Sequence, residues 1–246
     1  MQVALAKLYN SRNGKDVRYC LPTFVKNSAT PVIDAKGFWN PQVNANTDTI
    51  VTNDITLDAS QLNCILTGPN TGGKSTVIKG VMLNALMAQT IGMAPTENLT
   101  ITPFSKLSCH MNISDDIGKG DSLFAADVKF GKKRVQVVRD LKEGELSFTI
   151  TDEAFTGTTP ADGEEIAMYF AKRLGSYTNS ASISATHFGK MAQLETENNG
   201  TFRNYHLEIL RNPDNSLKRT YKFKRGPAPE SMRMAFDILK EEGLLD

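Results

Sequence analysis

The chain has 246 residues, with 28 Lys+Arg against 27 Asp+Glu and a formal charge of +1. This length fits one large α/β domain with an N-terminal extension and a sizeable core. The balanced charge excludes a protein that grips nucleic acid over a broad basic surface, so any DNA contact is local or lies elsewhere in a longer protein. Three widely spaced cysteines, Cys20, Cys64 and Cys109, point to a reducing compartment rather than a disulfide framework. Cys109-His110 has no second Cys/His pair nearby and reads as structural. With no signal peptide over Met1 to Asn10 and no long apolar run, the expectation is a soluble intracellular protein, cytoplasmic or DNA-associated, without membrane contact.

In chain order, residues 1–60 read as a polar lead-in punctuated by Pro22, Pro31 and Pro41, with short strands only at Ile50-Val51 and Ile55 to Leu57. Residues 61–246 form the core domain. An apolar run from Leu62 to Thr67 predicts a strand, followed by a glycine-rich turn and a helix from Lys74 to about Ile91. A strand over Lys106 to Ile113, a Gly/Asp loop over Ser114 to Ser122, a helix from Leu123 to about Leu141 and a strand at Phe148 to Asp152 follow. Pro160 opens a helix to Leu174, with Glu164-Glu165 near its positive end, and a strand covers Ala181 to Ala185. The last part reads as a hairpin, Thr201 to Leu210 and Leu217 to Lys224, then a helix from Glu230. This alternation predicts an α/β fold of the P-loop NTPase type, a mostly parallel sheet flanked by helices. The basic cluster Lys129, Lys132, Lys133 and Arg134 reads as a solvated helix face.

Gly68-Pro69-Asn70-Thr71-Gly72-Gly73-Lys74-Ser75 fits the phosphate-loop pattern and lies between a predicted strand and a predicted helix, where the mechanism needs it. Gly72 and Gly73 let backbone N–H groups approach phosphates, and the helix N-terminus adds positive potential. Lys74 would neutralise the β- and γ-phosphates of ATP, Ser75 would ligate Mg²⁺, and Thr76 would bond a phosphate farther back. Ser147 to Asp152 is a strand ending in the adjacent carboxylates Asp152 and Glu153. Asp152 is the expected Mg²⁺ partner and Glu153 the residue that orients or deprotonates attacking water. Ala185-Thr186-His187 ends another apolar run, which places His187 at the same sheet edge as a γ-phosphate sensor.

Together these blocks resemble the MutS family. The resemblance is carried by Thr67 to Thr76, by Ser114-Asp-Asp-Ile-Gly-Lys-Gly-Asp-Ser-Leu-Phe124, by Asp152-Glu153 followed by Gly157-Thr158, by Ala185-Thr-His187, and by Ile91-Gly92 with Pro95. It implies an ABC-like ATPase domain that works as a homodimer, each protomer completing its partner's nucleotide site, with DNA engaged through a parent protein. On the same resemblance, Ser122 reaches the nucleotide of the other subunit, while Ile50, Val51 and Asn53 form the adenine side. The chain departs from the family pattern at Ala154-Phe155-Thr156, where an aliphatic residue, Gly and Arg are usual. Leu123 replaces Thr, and Gly37-Phe-Trp-Asn-Pro41 replaces an Arg-His-Pro segment. Two other readings stay open: a slow-turnover module whose nucleotide occupancy controls pairing, and a transporter-type or chromosome-maintenance ATPase. Residues 117–124 fit the signature of the latter poorly.

Overall fold

A computed structural model describes residues 18–43, 49–69, 72–111, 123–197, 200–213 and 216–229. Within them lie ten strands and three long helices. The strands are β1 (Thr23–Phe24), β2 (Ile33–Phe38), β3 (Asn53–Leu57), β4 (Asn63–Thr67), β5 (Asn98–Ile101), β6 (Lys106–His110), β7 (Ser147–Asp152), β8 (Ser180–Thr186), β9 (Phe202–Arg211) and β10 (Leu217–Arg225). The helices are α1 (Lys74–Ile91), α2 (Leu123–Arg139) and α3 (Pro160–Gly175), followed by a 3-10 turn at Gly189–Gln193 that runs into the short α4 (Leu194–Glu197).

The strands form two sheets, a four-stranded one in the order β1-β5-β2-β3 and a six-stranded one in the order β10-β9-β4-β8-β7-β6. Both are mixed. In the larger sheet β6, β7, β8, β4 and β9 run parallel and β10 is antiparallel at the edge. In the smaller, β1 and β5 are parallel while β2 is antiparallel to both of its neighbours. The expectation of a mostly parallel sheet therefore covers only part of a mixed α/β architecture. The segment before residue 60 contributes β1, β2 and β3 to a sheet whose fourth strand, β5, comes from after α1.

Helix α1 links the two sheets. It is buried nearly all round, through Val77, Ile78, Val81, Met82, Ala85 and Ala88, as an interior helix is. One apolar cluster joins these residues to Ile33, Ile55 and Leu99 on one side and to Leu66, Phe148 and Ile183 on the other. The far face of the large sheet is covered by α3 and the 3-10 turn, where Ile65, Phe155, Ala167, Phe188 and Phe202 form a second cluster. Thr159 caps α3 through Asp162 N–H, and Pro160 opens it.

Helix α2 buries only a narrow stripe, Asp127, Gly131, Arg134 and Val138. Arg134 is thus a correction to the solvated-face reading: its guanidinium lies buried against the Ser108 hydroxyl of β6. No helix among the described residues is long and apolar enough to cross a membrane. The loop 114–122 and the helix expected from residue 230 lie outside the described residues.

Candidate functional site

Strands β4, β8 and β7 lie side by side, with Thr67 opposite Thr186 and Asp152 opposite Ala185. The residues that follow them, Gly68, Glu153 and His187, therefore emerge at one carboxyl edge, the crevice where open α/β sheets bind ligands. Gly73 (φ 88) makes the turn into α1, and the ring of Tyr221 would lie 2.8 Å from any Cβ added there. Only glycine tolerates both the left-handed backbone and that approach. Helix α1 has no side-chain cap and no acidic residue in its first turn, so the positive end of its dipole is uncompensated beside the loop.

Lys74 is almost fully buried. Its ammonium donates to Gly68 O at 2.6 Å and Pro69 O at 3.0 Å, and lies 2.9 Å from Glu153 Oε1. The other carboxylate oxygen, Glu153 Oε2, is 2.5 Å from His187 Nδ1. Glu153 is thus bridged between a buried cation and an imidazole whose Nε2 remains as the ring's other polar atom. Burial pushes the Glu153 carboxyl up, but the His187 hydrogen bond and the charge of Lys74 prevail and hold it below the usual range.

Asp152 moves the other way. Burial raises its pKa, and neighbouring Glu153 adds to this, against the hydrogen bond from Ser75 and the charges of Lys74 and Lys79. Asp152 Oδ1 is buried with no partner among the described residues. An orphaned carboxylate oxygen beside a hydroxyl is a hard donor set of the kind that suits Mg²⁺. No group of three or more His, Cys, Asp or Glu that could hold a metal occurs among the described residues, so an ion at Ser75 and Asp152 would draw further ligands from water and phosphate.

Glu153 is held in an unusual backbone. Glu153 (φ 51) and Phe155 (φ 66) both adopt left-handed conformations, at a cost of order 1–3 kcal/mol each that surrounding contacts must offset. Those contacts are Glu153 N–H to Ala185 O at 2.9 Å, the Thr156 hydroxyl to Glu153 O at 3.1 Å, and Phe155 N–H to Asp127 Oδ2 at 2.7 Å.

The structure gathers Gly68, Pro69, Gly72, Gly73, Lys74, Ser75, Asp152, Glu153 and His187 at this edge, whereas Asn70, Thr71 and Ser122 lie outside the described residues. Thr76 is exposed, and its carbonyl accepts from Asn40 Nδ2 at 2.7 Å. Ile50 and Val51 are half-buried and belong to no strand. Asn53 directs both ends of its amide to β10, donating to Tyr221 O at 3.0 Å and accepting from Phe223 N–H at 2.8 Å. It fixes the irregularity in β10 between Arg219 and Phe223, where Tyr221 takes φ 56.

Sequence reasoning missed two features. Tyr221 stands in a basic strand whose pattern gives no sign that its ring meets Gly73. The pair His110 and Asp127 joins β6 to α2, and the i, i+4, i+7, i+11 spacing of Asp127, Gly131, Arg134 and Val138 was the available signal that Asp127 faces inward.

The chain is thus of the mixed α/β class, with a buried lysine, paired carboxylates and an imidazole gathered around a glycine-rich turn at the carboxyl edge of a sheet. Within that class, the family model for MutS domain V matches residues 64–239, and the chain belongs to the MutS family. It is similar to the DNA mismatch repair protein MutS of Pseudothermotoga lettingae, 34% identical over 155 residues that make up 63% of this chain and 18% of that protein. It is also similar to the DNA mismatch repair protein Msh3 of Mus musculus, 30% identical over 237 residues, 92% of this chain and 20% of that protein. The chain spans about a fifth of the length of these relatives.

Proposed function

We propose that this chain is a MutS-type, ABC-like P-loop ATPase domain that binds ATP with Mg²⁺, hydrolyses it, and couples nucleotide state to pairing of two copies and to the DNA-directed work of a larger protein. The observation that carries this reading is the Lys74–Glu153–His187 chain beside Gly72-Gly73 and the uncompensated start of α1. Lys74 is placed to exchange its loop carbonyls and Glu153 for phosphate oxygens. That exchange frees Glu153 Oε1 to orient or deprotonate a water, while the depressed carboxyl keeps it anionic at neutral pH. His187 holds Oε2 through Nδ1, and in its imidazolium form it would also donate from Nε2 to a terminal phosphate. Mg²⁺ at Ser75 and Asp152 supplies neutralisation of phosphate charge. Tyr221, an aromatic ring against the loop and beside the Ile50 to Asn53 segment, offers a stacking surface for the base.

A second reading, a slow-turnover module controlled by nucleotide occupancy, is favoured by one observation: both Glu153 oxygens are engaged, so no water can be activated until Lys74 is drawn away. Thr156, in place of the Arg usual in the family, points the same way.

Steady-state ATP hydrolysis by the chain across protein concentration, with Glu153→Gln and Ser122→Ala beside it, separates the two. Mg²⁺-dependent turnover that rises more than linearly, and falls roughly 10²- to 10⁴-fold in Glu153→Gln while ATP still binds, is the expected result. Tight ATP binding without turnover at any concentration, and without change in either variant, overturns the hydrolytic reading and leaves the binding module.

A further inference from the structure

The turn that carries Glu153 is clamped from outside the nucleotide edge. Asp127 and His110 are both nearly inaccessible, and His110 Nε2 lies 2.6 Å from Asp127 Oδ1. The imidazole stacks on Phe130 of the same helix at 3.9 Å between ring centroids. The second carboxylate oxygen of Asp127 accepts the Phe155 N–H at 2.7 Å, inside the left-handed turn that begins at Glu153. One buried carboxylate therefore ties the end of β6, helix α2 and the Glu153 turn together.

Two glycines show how closely that turn is held. A Cβ on Gly157 would lie 2.7 Å from Phe124 N and 3.0 Å from Leu123 Cβ, in the first turn of α2. A Cβ on Gly163 of α3 would lie 2.4 Å from Phe155 O. Residues 153–157 are thus gripped between the starts of two helices, with no slack for α2 to move independently of them. A buried ionisable pair is a weak source of stability compared with apolar side chains of similar volume. Its use lies in direction: it fixes the Ala154–Phe155 peptide, the unit directly after the one that begins at the Glu153 carbonyl, and so constrains the turn from which the Glu153 side chain projects.

We propose that Asp127, braced by His110, is a positioning residue for Glu153, and that it makes turnover at the phosphate edge depend on where α2 sits. Resting on the hydrolytic reading above, this names a regulation of that site: a shift of α2 relative to β7 pulls the Phe155 amide and swings Glu153 out of line with Lys74 and His187, while the phosphate loop keeps its grip on nucleotide. The contacts of the pair described above go to Phe130 and the Phe155 amide rather than to the phosphate loop, so its loss should act on kcat rather than on ATP affinity.

The test uses Asp127→Ala, Asp127→Asn and Gly157→Ala in the whole chain. Three readouts apply: kcat, affinity for a fluorescent ATP analogue, and amide hydrogen exchange over residues 152–158 without nucleotide. Asp127→Ala is expected to lower kcat roughly ten- to a hundredfold with affinity changed no more than about threefold, and to speed exchange in that segment. Asp127→Asn keeps an acceptor for the Phe155 N–H and can donate to His110 Nε2, so it restores most of kcat and of the protection. Gly157→Ala leaves the pair intact but pushes on the first turn of α2, and lowers kcat with affinity retained.

Unchanged exchange over 152–158 in Asp127→Ala overturns the proposal, whether or not the wild-type chain hydrolyses ATP. So does a fall in kcat matched by an equal fall in affinity, or Asp127→Asn behaving like Asp127→Ala. A wild-type chain that binds ATP without turnover defeats the hydrolytic reading by itself, and the exchange experiment then still decides whether Asp127 holds the Glu153 turn.

Discussion

The four-stranded sheet fills its inward face with Ile33, Ala35, Ile55, Leu57, Leu99 and Ile101, whereas the centre of the six-stranded sheet buries Ser147, Thr149, Thr151, Ser180, Ser182 and Thr186 among its apolar residues. In the larger sheet four of these hydroxyls pair across strands: Ser147 with Ser180 at 2.9 Å, Thr151 with Ser184 at 3.0 Å, and Ser182 with Asn63 at 2.7 Å. In the smaller sheet the side-chain bonds lie on the outer face, Thr56 to Asp34 at 2.9 Å and Gly37 N–H to Asp54 at 2.8 Å, and the inward face is held by apolar burial, which is non-directional. The larger adds directional bonds that set strand against strand, and its carboxyl edge carries Lys74, Asp152, Glu153 and His187. A site whose atoms must be placed to a fraction of an ångström sits on the part of the fold whose interior contacts have direction.

Truncating the two sheets tests whether they are one cooperative unit. Phe148→Ala in the large sheet is expected to cost about 3–5 kcal/mol and Ile55→Ala in the small one about 2–5 kcal/mol. Because both residues belong to the cluster that runs through α1, each should lower the midpoint of a single unfolding transition in calorimetry. A separate early transition in Ile55→Ala would break the comparison by making the small sheet an appendage.

Next in size, Lys74→Ala removes charge-assisted hydrogen bonds worth about 1.5–3 kcal/mol to a phosphate. Titration with ATP should show affinity down roughly ten- to a hundredfold.

Asp152→Asn has opposite effects on stability and function. Its carboxyl pKa is raised from 3.8, so its contribution to stability is fully present below 3.8 and lost as pH rises through the folded value. At neutral pH the amide should therefore raise the melting temperature of the nucleotide-free chain, and abolish any response to Mg²⁺.

Glu153 works with the reverse sign. Its pKa is depressed from 4.5, so its pairing stabilises fully above 4.5 and is lost as pH falls through the folded value. Glu153→Gln should flatten that acid limb in a melting-temperature profile, by less than the Asp152 effect because Glu153 is partly solvated.

Smallest of all, alkylation should mark Cys109 in the native chain and leave Cys64 untouched. Cys109 is exposed at the sheet edge, while Cys64 is buried with its thiol pushed up by burial. Labelling of Cys64 at the same rate would show the large sheet opening more readily than its bonded interior allows.

Elements governed by local pattern were legible. The helix predicted from Lys74 to Ile91 and the strands predicted over Leu62 to Thr67, Phe148 to Asp152 and Ala181 to Ala185 lie within a residue of α1, β4, β7 and β8. Each is a short periodic or apolar run with its own start signal. The small sheet was not legible beyond part of β3. In β2 the sequence Ile-Asp-Ala-Lys-Gly-Phe pairs with Asn98–Ile101 across all of α1, and that pairing supplies the stability its local sequence lacks.

The sequence by itself determined the glycine-rich turn, the adjacent Asp152 and Glu153, and a histidine at the end of a strand, because these follow from residue type and from the direction in which a strand meets a helix. Only the tertiary structure decided that Glu153 bridges Lys74 and His187, that Tyr221 lies on Gly73, and that Asp127 holds the Phe155 amide. Those contacts join residues on separate elements, as far apart in the chain as Gly73 and Tyr221. They depend on strand register and helix placement, which no local propensity encodes.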